Sequence, residues 1–292
     1  MVIFEMDADL HLHTHFSDGT YAPEDLAQSA LRLGIAALAV TDHDTVEACE
    51  PCEAACRGAG IEFVPGIELT TEWEGQELHF LGYGIDVRHR ELLAELAQFQ
   101  DVRQQRVREM IDRLNRLRIP LEADAVLALA DCRSPGRPHI ARALVQAGRC
   151  GSMDEAFDRY LKKGRPAWVP KRRMSAGDCI GLLHRTGGMA VLAHPGLYRP
   201  EAPYGMLAEA GLDGIECYHS KHDGRMVHQF RAIAERHRWL ITGGSDCHGD
   251  SKGRPVMGTV RLPYEHFVAL KNRLPAARAR FAWPAETQAT RD

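Results

Sequence analysis

In the stretch DADLHLHTHFSDG, residues 7–19, polar groups stand at every second position. Asp9, His11, His13 and His15 alternate with Leu10, Leu12 and Thr14. A strand sends alternate side chains to opposite faces. The pattern therefore predicts a strand with leucines in a core and imidazoles and a carboxylate on the other face. Further on, short apolar runs at 35–40 (IAALAV), 61–69, 188–193, 212–218 and 239–245 predict buried strands. Segments 23–33 and 224–237 carry helical periodicity, and Pro23 and Gly34 suit the opening and closing of the first. Strand–helix alternation predicts parallel βα units. Glu74-Gly75, inside LTTEWEGQELHFLGY, predicts a hairpin turn.

Residues 99–173 break this rhythm. Val107, Met110, Ile111, Leu114 and Leu117 mark an amphipathic helix, and more helices are predicted at 122–130, 138–147 and 153–161. The segment holds 17 Lys+Arg against 9 Asp+Glu, a net of +8, while the remainder carries −12. We therefore expect a barrel from 1–99 and 174–292 and an inserted basic helical cap over 100–173. Most of its arginines are read as a solvated surface, and a few as facing an anionic substrate.

Composition adds bounds rather than identity. The chain of 292 residues is 45% apolar and 26% charged, with a net charge of −4, which suits a soluble globular protein and not a general nucleic-acid or membrane binder. No apolar stretch reaches the 18 or so residues of a membrane span. Glu5, Asp7 and Asp9 do not suit an export signal, so a cytoplasmic location is expected. Cys49, Cys52 and Cys56 form the one tight cysteine cluster among eight cysteines. It is read as small buried thiols on a helix, against the alternative of a metal site, because a fourth thiolate is not nearby. The tail from Pro284 is expected to fray.

Fifteen histidines would mean little if scattered. Instead, many follow the apolar runs. His11 and His13 end the first strand, with Asp18 after them; Asp42, His43 and Asp44 end the second; Glu68 and His79 lie on the hairpin. His194, then Glu216, His219 and His222, then Asp246 and His248 follow later runs. Strand ends in a barrel converge on one face, where chemistry is carried. Imidazoles with carboxylates suit Zn, Mn or Fe, and nine or more candidate ligands exceed the needs of one ion.

Taken in order, DLHLHTHFSDG, TDHD, GIELT, His79, AHP and GSDCHG resemble the PHP family of amidohydrolase-like hydrolases, named for polymerase and histidinol phosphatase. The resemblance covers residues 7–99 and 174–260. It implies an α/β fold, a distorted (β/α)7 barrel, with a trinuclear metal centre. It implies that His11, His13, Glu68 and Asp246 hold the first ion. Glu68 would bridge to a second, with His79 and His194. Asp18, His43 and His248 would hold a third. Two to three divalent ions are expected, manganese first, zinc or iron as alternatives.

SPGRPHIARAL, KKGRPAWVPK and CYHSKH narrow the likeness to stand-alone phosphoesterases, similar to nucleoside 3′,5′-bisphosphate phosphatases and to 5′-to-3′ exoribonucleases on short RNA. The reaction expected is loss of the 3′-phosphate from a bisphosphate, such as adenosine 3′,5′-bisphosphate to AMP, by a hydroxide bridging two ions. Asp246 is read as a ligand and as acceptor of the water proton. Arg137, His139, Lys171 and His222 are expected to clamp phosphate, with Ser134 and His219 beside them. His222 or His139 is the expected proton donor to the leaving oxygen. Glu216 is expected to orient a ligand histidine. Trp168 or Tyr218 is the candidate for stacking on a base. Rival readings are a histidinol-phosphate-type phosphatase, a C–N hydrolase on the same barrel, and a non-catalytic nucleotide-binding module. The expected partner is a small nucleotide or short RNA, and nothing points to a membrane or a protein partner.

Overall fold

All five apolar runs fold as strands. The computed structural model describes residues 6–170, 174–198, 201–252 and 254–280; Lys171 and the tail from Pro284 lie outside the described residues. In chain order the first elements are β1 (Asp7–Asp9), α1 (Pro23–Leu33), β2 (Ile35–Val40), α2 (Cys49–Ala59), β3 (Glu62–Trp73) and β4 (Gln76–Tyr83). The helical region follows with α3 (Arg90–Arg116), α4 (Ala123–Ala130), α5 (Arg137–Gln146) and α6 (Met153–Ala156), the last running into a π turn. Then come β5 (Met174–Ser175), α7 (Ala176–Arg185), β6 (Met189–Leu192), α8 (Tyr204–Glu209) and β7 (Gly214–His219). The described residues end with α9 (Gly224–His237), β8 (Leu240–Gly244), β9 (Leu262–Pro263) and α10 (Tyr264–Arg280).

Local chemistry accounts for the boundaries. Pro23 opens α1, and Gly34 closes it at φ 72°, left-handed backbone that costs glycine little. Glu74 and Gly75 both have positive φ, 47° and 78°, the two-residue turn that matches strand twist. Trp73 then pairs with Gln76, and β3 and β4 run antiparallel.

The strands order as β8-β7-β6-β4-β3-β2-β1-β9. The chain just after β1 returns to β8: Leu10 N donates to Gly243 O at 3.1 Å, and Leu12 bridges Cys247. Seven strands thus form a nearly closed ring, parallel except at β4, which runs against both neighbours. Alternation divides each strand between two cores. Leu38 and Val40 of β2 join Leu26, Ala30 and Cys52 of the flanking helices. Ala37 and Ala39 join Val191, Leu81 and, from α10, Phe267 and Leu270. The second face is also the one from which Glu68, His79 and Glu216 project. Cys49, Cys52 and Cys56 lie on the buried side of α2. Burial pushes the Cys49 thiol up to about 12 and Cys56 up to about 11, so these are packed, protonated thiols.

Closure of the ring needs bare backbone at one point. A Cβ on Gly244 would lie 2.3 Å from His11 N. Gly244→Ala is expected to cost about 1–3 kcal/mol by forcing the strands apart. A thermal unfolding midpoint equal to wild type would refute this reading.

α3 has no Gly or Pro from Arg90 to Arg116, and it runs unbroken through 27 residues. Leu92 and Leu96 pack with the barrel helices, whereas Val107, Met110, Ile111 and Leu114 join a third cluster with α4 and α5. The 99/100 boundary drawn from charge therefore falls within one helix. The third cluster is contiguous with neither barrel core and lies wholly within residues 107–169. Lys163 Nζ touches back on the hairpin tip at Gly75 O, 3.2 Å away. No described helix is long and apolar enough to cross a membrane.

Candidate metal centre

The loops at the strand ends are held by their own polar side chains. Asp42 accepts from Thr14 N at 2.8 Å, from Thr14 Oγ1, and from Ser17 Oγ. That fixes the turn from which Asp18 projects. Gly19 closes the turn, with its amide on Thr14 O at 3.0 Å. Three residues here have positive φ without being glycine: Asp44 at 51°, His194 at 28° and Asp246 at 54°. Such backbone costs energy and persists where surroundings impose it, as they do around functional groups.

Glu68, almost fully buried, sits between two sets of imidazoles. Its Oε1 lies 2.7 Å from His79 Nδ1 and 3.0 Å from His194 Nε2. Its Oε2 lies 3.3 Å from His11 Nε2, 3.3 Å from His13 Nε2 and 3.1 Å from His43 Nδ1. The four donors expected for a first ion, His11, His13, Glu68 and Asp246, lie within 4.8 Å of one another. So do Asp18, His43 and His248, with His13 added. His43, Glu68 and His79 form a further such group. All nine residues expected as ligands are thus gathered from six separate stretches of chain.

The donor set fits divalent ions. His13, His43 and His194 each bury a ring nitrogen without a hydrogen-bond partner, although carboxylate oxygens lie close by. Unmade hydrogen bonds in a buried polar cluster need an explanation, and donors aimed at shared points between carboxylate and imidazole supply one. Burial pushes His43 well below its ordinary value and His194 below it too. Burial works against ionisation of Glu68, but the imidazoles of His43, His79 and His11 outweigh it and hold the carboxyl well below its usual range. Asp246 is the most open carboxylate of the centre, its side chain 21% exposed, with Oδ1 3.2 Å from His13 Nε2. Asp9 stays one step below, accepting from Ser245 N at 2.9 Å, and burial raises it to about 6.

Glu216 supports the centre from beneath, as its sequence position suggested. Its Oε1 is 2.9 Å from His11 Nδ1, and its Oε2 accepts from His194 N at 2.7 Å. One carboxylate thus sets the ring of one donor residue and the backbone of another. Glu216→Gln leaves an amide N–H facing one of these donors. Outer partners of this kind are worth about 10–100-fold in metal affinity. That loss is expected for Glu216→Gln in a manganese titration, and an unchanged affinity would remove Glu216 from this role.

The substrate side is more mixed. His219 lies in the centre, Nε2 3.5 Å from Asp246 Oδ2, and its Nδ1 accepts from Lys221 N at 3.1 Å. His222 is held by backbone. Its Nδ1 donates to Cys217 O at 2.9 Å, and its Nε2 accepts from Gly196 N at 3.1 Å. Burial lowers its pKa, and both nitrogens are engaged by backbone. In this arrangement His222 pins the loop after His194. Arg137 opens α5, half-buried, with its guanidinium 5.9 Å from the Phe157 ring centroid. His139 Nδ1 accepts from Gly136 N at 3.0 Å, which leaves Nε2 as the protonated nitrogen. The Ser134 hydroxyl is buried without a hydrogen-bond partner. Tyr218 packs toward His266 of α10, ring centroids 5.9 Å apart, and not toward the centre.

Two residues that position the centre were not singled out beforehand. Asp42 was seen only as part of a strand-end motif. Arg103 binds Asp44 Oδ2 through Nε and Nη2, both at 2.6 Å, and so ties α3 to the loop beside His43. Its signal was a charge interrupting the apolar stripe Leu92, Leu96, Val107, Met110 of α3.

A ring of strands with such a cluster at one mouth defines a metal-dependent hydrolase. The family model of the PHP domain matches residues 9–162. The chain is 35% identical to the 5′-3′ exoribonuclease Rnm of Escherichia coli over 247 residues, 82% of this chain and 84% of the relative. It is 34% identical to the 3′,5′-nucleoside bisphosphate phosphatase of Chromobacterium violaceum over 269 residues, 87% of this chain and 92% of the relative. Among solved structures, it resembles a Bifidobacterium adolescentis protein assigned to the metal-dependent phosphoesterases, with a TM-score of 0.85, 31% identity, and 92% and 96% of the two chains covered. An amidohydrolase from Chromobacterium violaceum, solved with bound sulfate and no metal, matches with a TM-score of 0.79 and 30% identity over 93% and 96%. The chain belongs to the PHP family, and it is a metal-dependent phosphoesterase of that type.

Proposed function

We propose that the protein hydrolyses a phosphate monoester of a small nucleotide, namely the 3′-phosphate of a nucleoside 3′,5′-bisphosphate. The observation that carries this reading is Glu68 between two imidazole sets, with the open carboxylate of Asp246 beside them. His11, His13, Glu68 and Asp246 would hold one ion, Glu68, His79 and His194 a second, and Asp18, His43 and His248 a third. Bound there, two or three divalent ions, manganese first, would acidify water and neutralise charge on phosphoryl oxygens. The chain's residues do the rest. Asp246 accepts the proton of the attacking water from its exposed edge. Ser134, Arg137 and His139, with Lys171 and His219, orient the phosphates. The donor to the leaving oxygen is His139, whose Nε2 carries the ring proton, or His222, whose Nδ1 proton is held by Cys217 O.

A charged cap favours a substrate with two phosphates over an uncharged amide. The bisphosphate phosphatase relative, at 34% identity, supports the same choice. The second reading, a 5′-to-3′ exoribonuclease on short RNA, rests on the relative of that name at 35%. Phosphate release from nucleoside 3′,5′-bisphosphates, 5′-monophosphates and a 5′-phosphorylated short RNA, with manganese and with chelator, separates the two. Fast, chelator-sensitive release from bisphosphates alone is expected. Mononucleotide release from RNA at a comparable rate would favour the second reading, and no hydrolysis of any of them would end both.

A further inference from the structure

Glu77 and His79 stand two positions apart on β4, so their side chains share a face. Leu78 between them is fully buried in the core on the other side of the strand. Glu77 Oε1 lies 3.0 Å from His79 Nε2, and the other ring nitrogen, Nδ1, lies 2.7 Å from Glu68 Oε1. The ring is thus held between two carboxylates of different standing. Glu68 is almost fully buried and belongs to the gathered donor groups. The Glu77 side chain is 32% exposed and belongs to none of the groups found among the described residues.

Strand pairing alone does not account for Glu77. It lies across from Glu72, and like charges directly opposite one another are destabilising. The imidazole beside it supplies the reason for a carboxylate at this position. The same arrangement recurs elsewhere in the centre. Glu216 Oε1 is 2.9 Å from His11 Nδ1, while His11 Nε2 faces Glu68 Oε2 at 3.3 Å. Two imidazoles that flank Glu68 therefore turn one nitrogen toward it and rest the other on a second carboxylate. The nitrogens are exchanged between them: Nε2 faces Glu68 in His11, and Nδ1 faces it in His79.

We propose that Glu77 is a positioning residue of the metal centre: it accepts the Nε2 proton of His79, fixes the tautomer, and leaves Nδ1 as the ligating nitrogen. The inference rests on the ligand set proposed above and deepens it. A ligating imidazole gives its other N–H to an outer acceptor, which sets the ring orientation and raises the basicity of the ligating nitrogen. The backbone of His79 is fixed as well. Its amide donates to the Tyr198 hydroxyl at 2.9 Å, and that hydroxyl donates to Ala193 O at 2.9 Å. With the backbone and the far nitrogen both held, Nδ1 stays directed at Glu68 Oε1, where His194 Nε2 also arrives at 3.0 Å. Solvent reaches Glu77 but not Glu216, so Glu77 holds its ring less firmly. Its influence is confined to the ion shared by Glu68, His79 and His194.

Two measurements test this, and neither depends on turnover. In the first, manganese is titrated by calorimetry into the metal-free full chain as wild type, Glu77→Ala and Glu77→Gln. Glu77→Ala is expected to weaken one class of sites about tenfold, the low end for an outer partner, and to leave the others at wild-type affinity. Glu77→Gln, whose side-chain carbonyl still accepts from Nε2, is expected to recover most of that loss. Equal affinities in all three proteins would overturn the proposal. So would an equal loss in both variants, which would make the charge and not the hydrogen bond responsible, or a loss spread over every site. In the second, ring nitrogens are labelled with 15N in the zinc-loaded protein, and the His79 signals are assigned through His79→Gln. Wild type is expected to show Nδ1 bound to metal and an Nε2–H resolved from water, and Glu77→Ala to lose the Nε2–H signal to exchange. A His79 ring bound through Nε2 overturns the proposal. The selective tenfold loss in a protein that hydrolyses no phosphoester supports Glu77 in this role while the phosphatase reading falls.

Discussion

Glu68→Gln is expected to lower kcat/KM on a nucleoside bisphosphate by on the order of 10³-fold, the upper range for removing one electrostatic support. Both carboxylate oxygens are in use, one toward His79 and His194 and the other toward His11, His13 and His43. An amide keeps the shape but not the charge, and its N–H2 end must face imidazoles on one side or the other. On the proposed ligand set, one substitution would weaken two ion sites. The measurement pairs steady-state rates in manganese with metal content by mass spectrometry. The expected result is a loss of at least one equivalent of metal, with the folded state intact by circular dichroism. A variant with full metal and a rate within tenfold of wild type would remove Glu68 as the bridge.

Arg103→Met is expected to cost about 3–5 kcal/mol of stability, the usual penalty for stripping a buried charge of its partner. Asp44 is fully buried, and the Arg103 side chain is only 10% exposed. Burial opposes the charge on Arg103, yet Asp44 keeps the guanidinium above its ordinary value. Removing the cation leaves the carboxylate in a place it cannot hydrate. Replacing both, Arg103→Met with Asp44→Asn, is expected to recover most of the loss, because asparagine also tolerates the positive φ at this position. Denaturant midpoints of the single and double variants check this. Equal midpoints for Arg103→Met and wild type would mean that the pair contributes little.

Strands and the clustered side chains were legible for different reasons. Runs such as 35–40 are apolar on both faces, and only a strand buried between a ring interior and helices explains that. His11, His13 and Glu68 announced themselves by alternation with Leu10, Leu12, Ile67 and Leu69. His222 could not be read in the same way. Its meaning depends on Gly196, 26 residues earlier, donating to its Nε2, and backbone partners leave no trace in residue types. Arg103 was hidden similarly, since its partner is 59 residues away and carries the same letter as many solvated aspartates. The edge of the cap was read from the change of periodicity and charge near residue 99, and α3, which has no breaker there, runs continuously through that point.

The reversed strand in the ring has a consequence for how the protein is made. Glu68 and His79 are 11 positions apart across a tight turn, whereas His11 and Glu216 are separated by 205. Loop-closure scaling makes the distant pairing about 2–3 kcal/mol dearer in chain entropy than the near one. A nascent chain can therefore set Glu68 beside His79 as soon as this hairpin leaves the ribosome, long before the last strand exists.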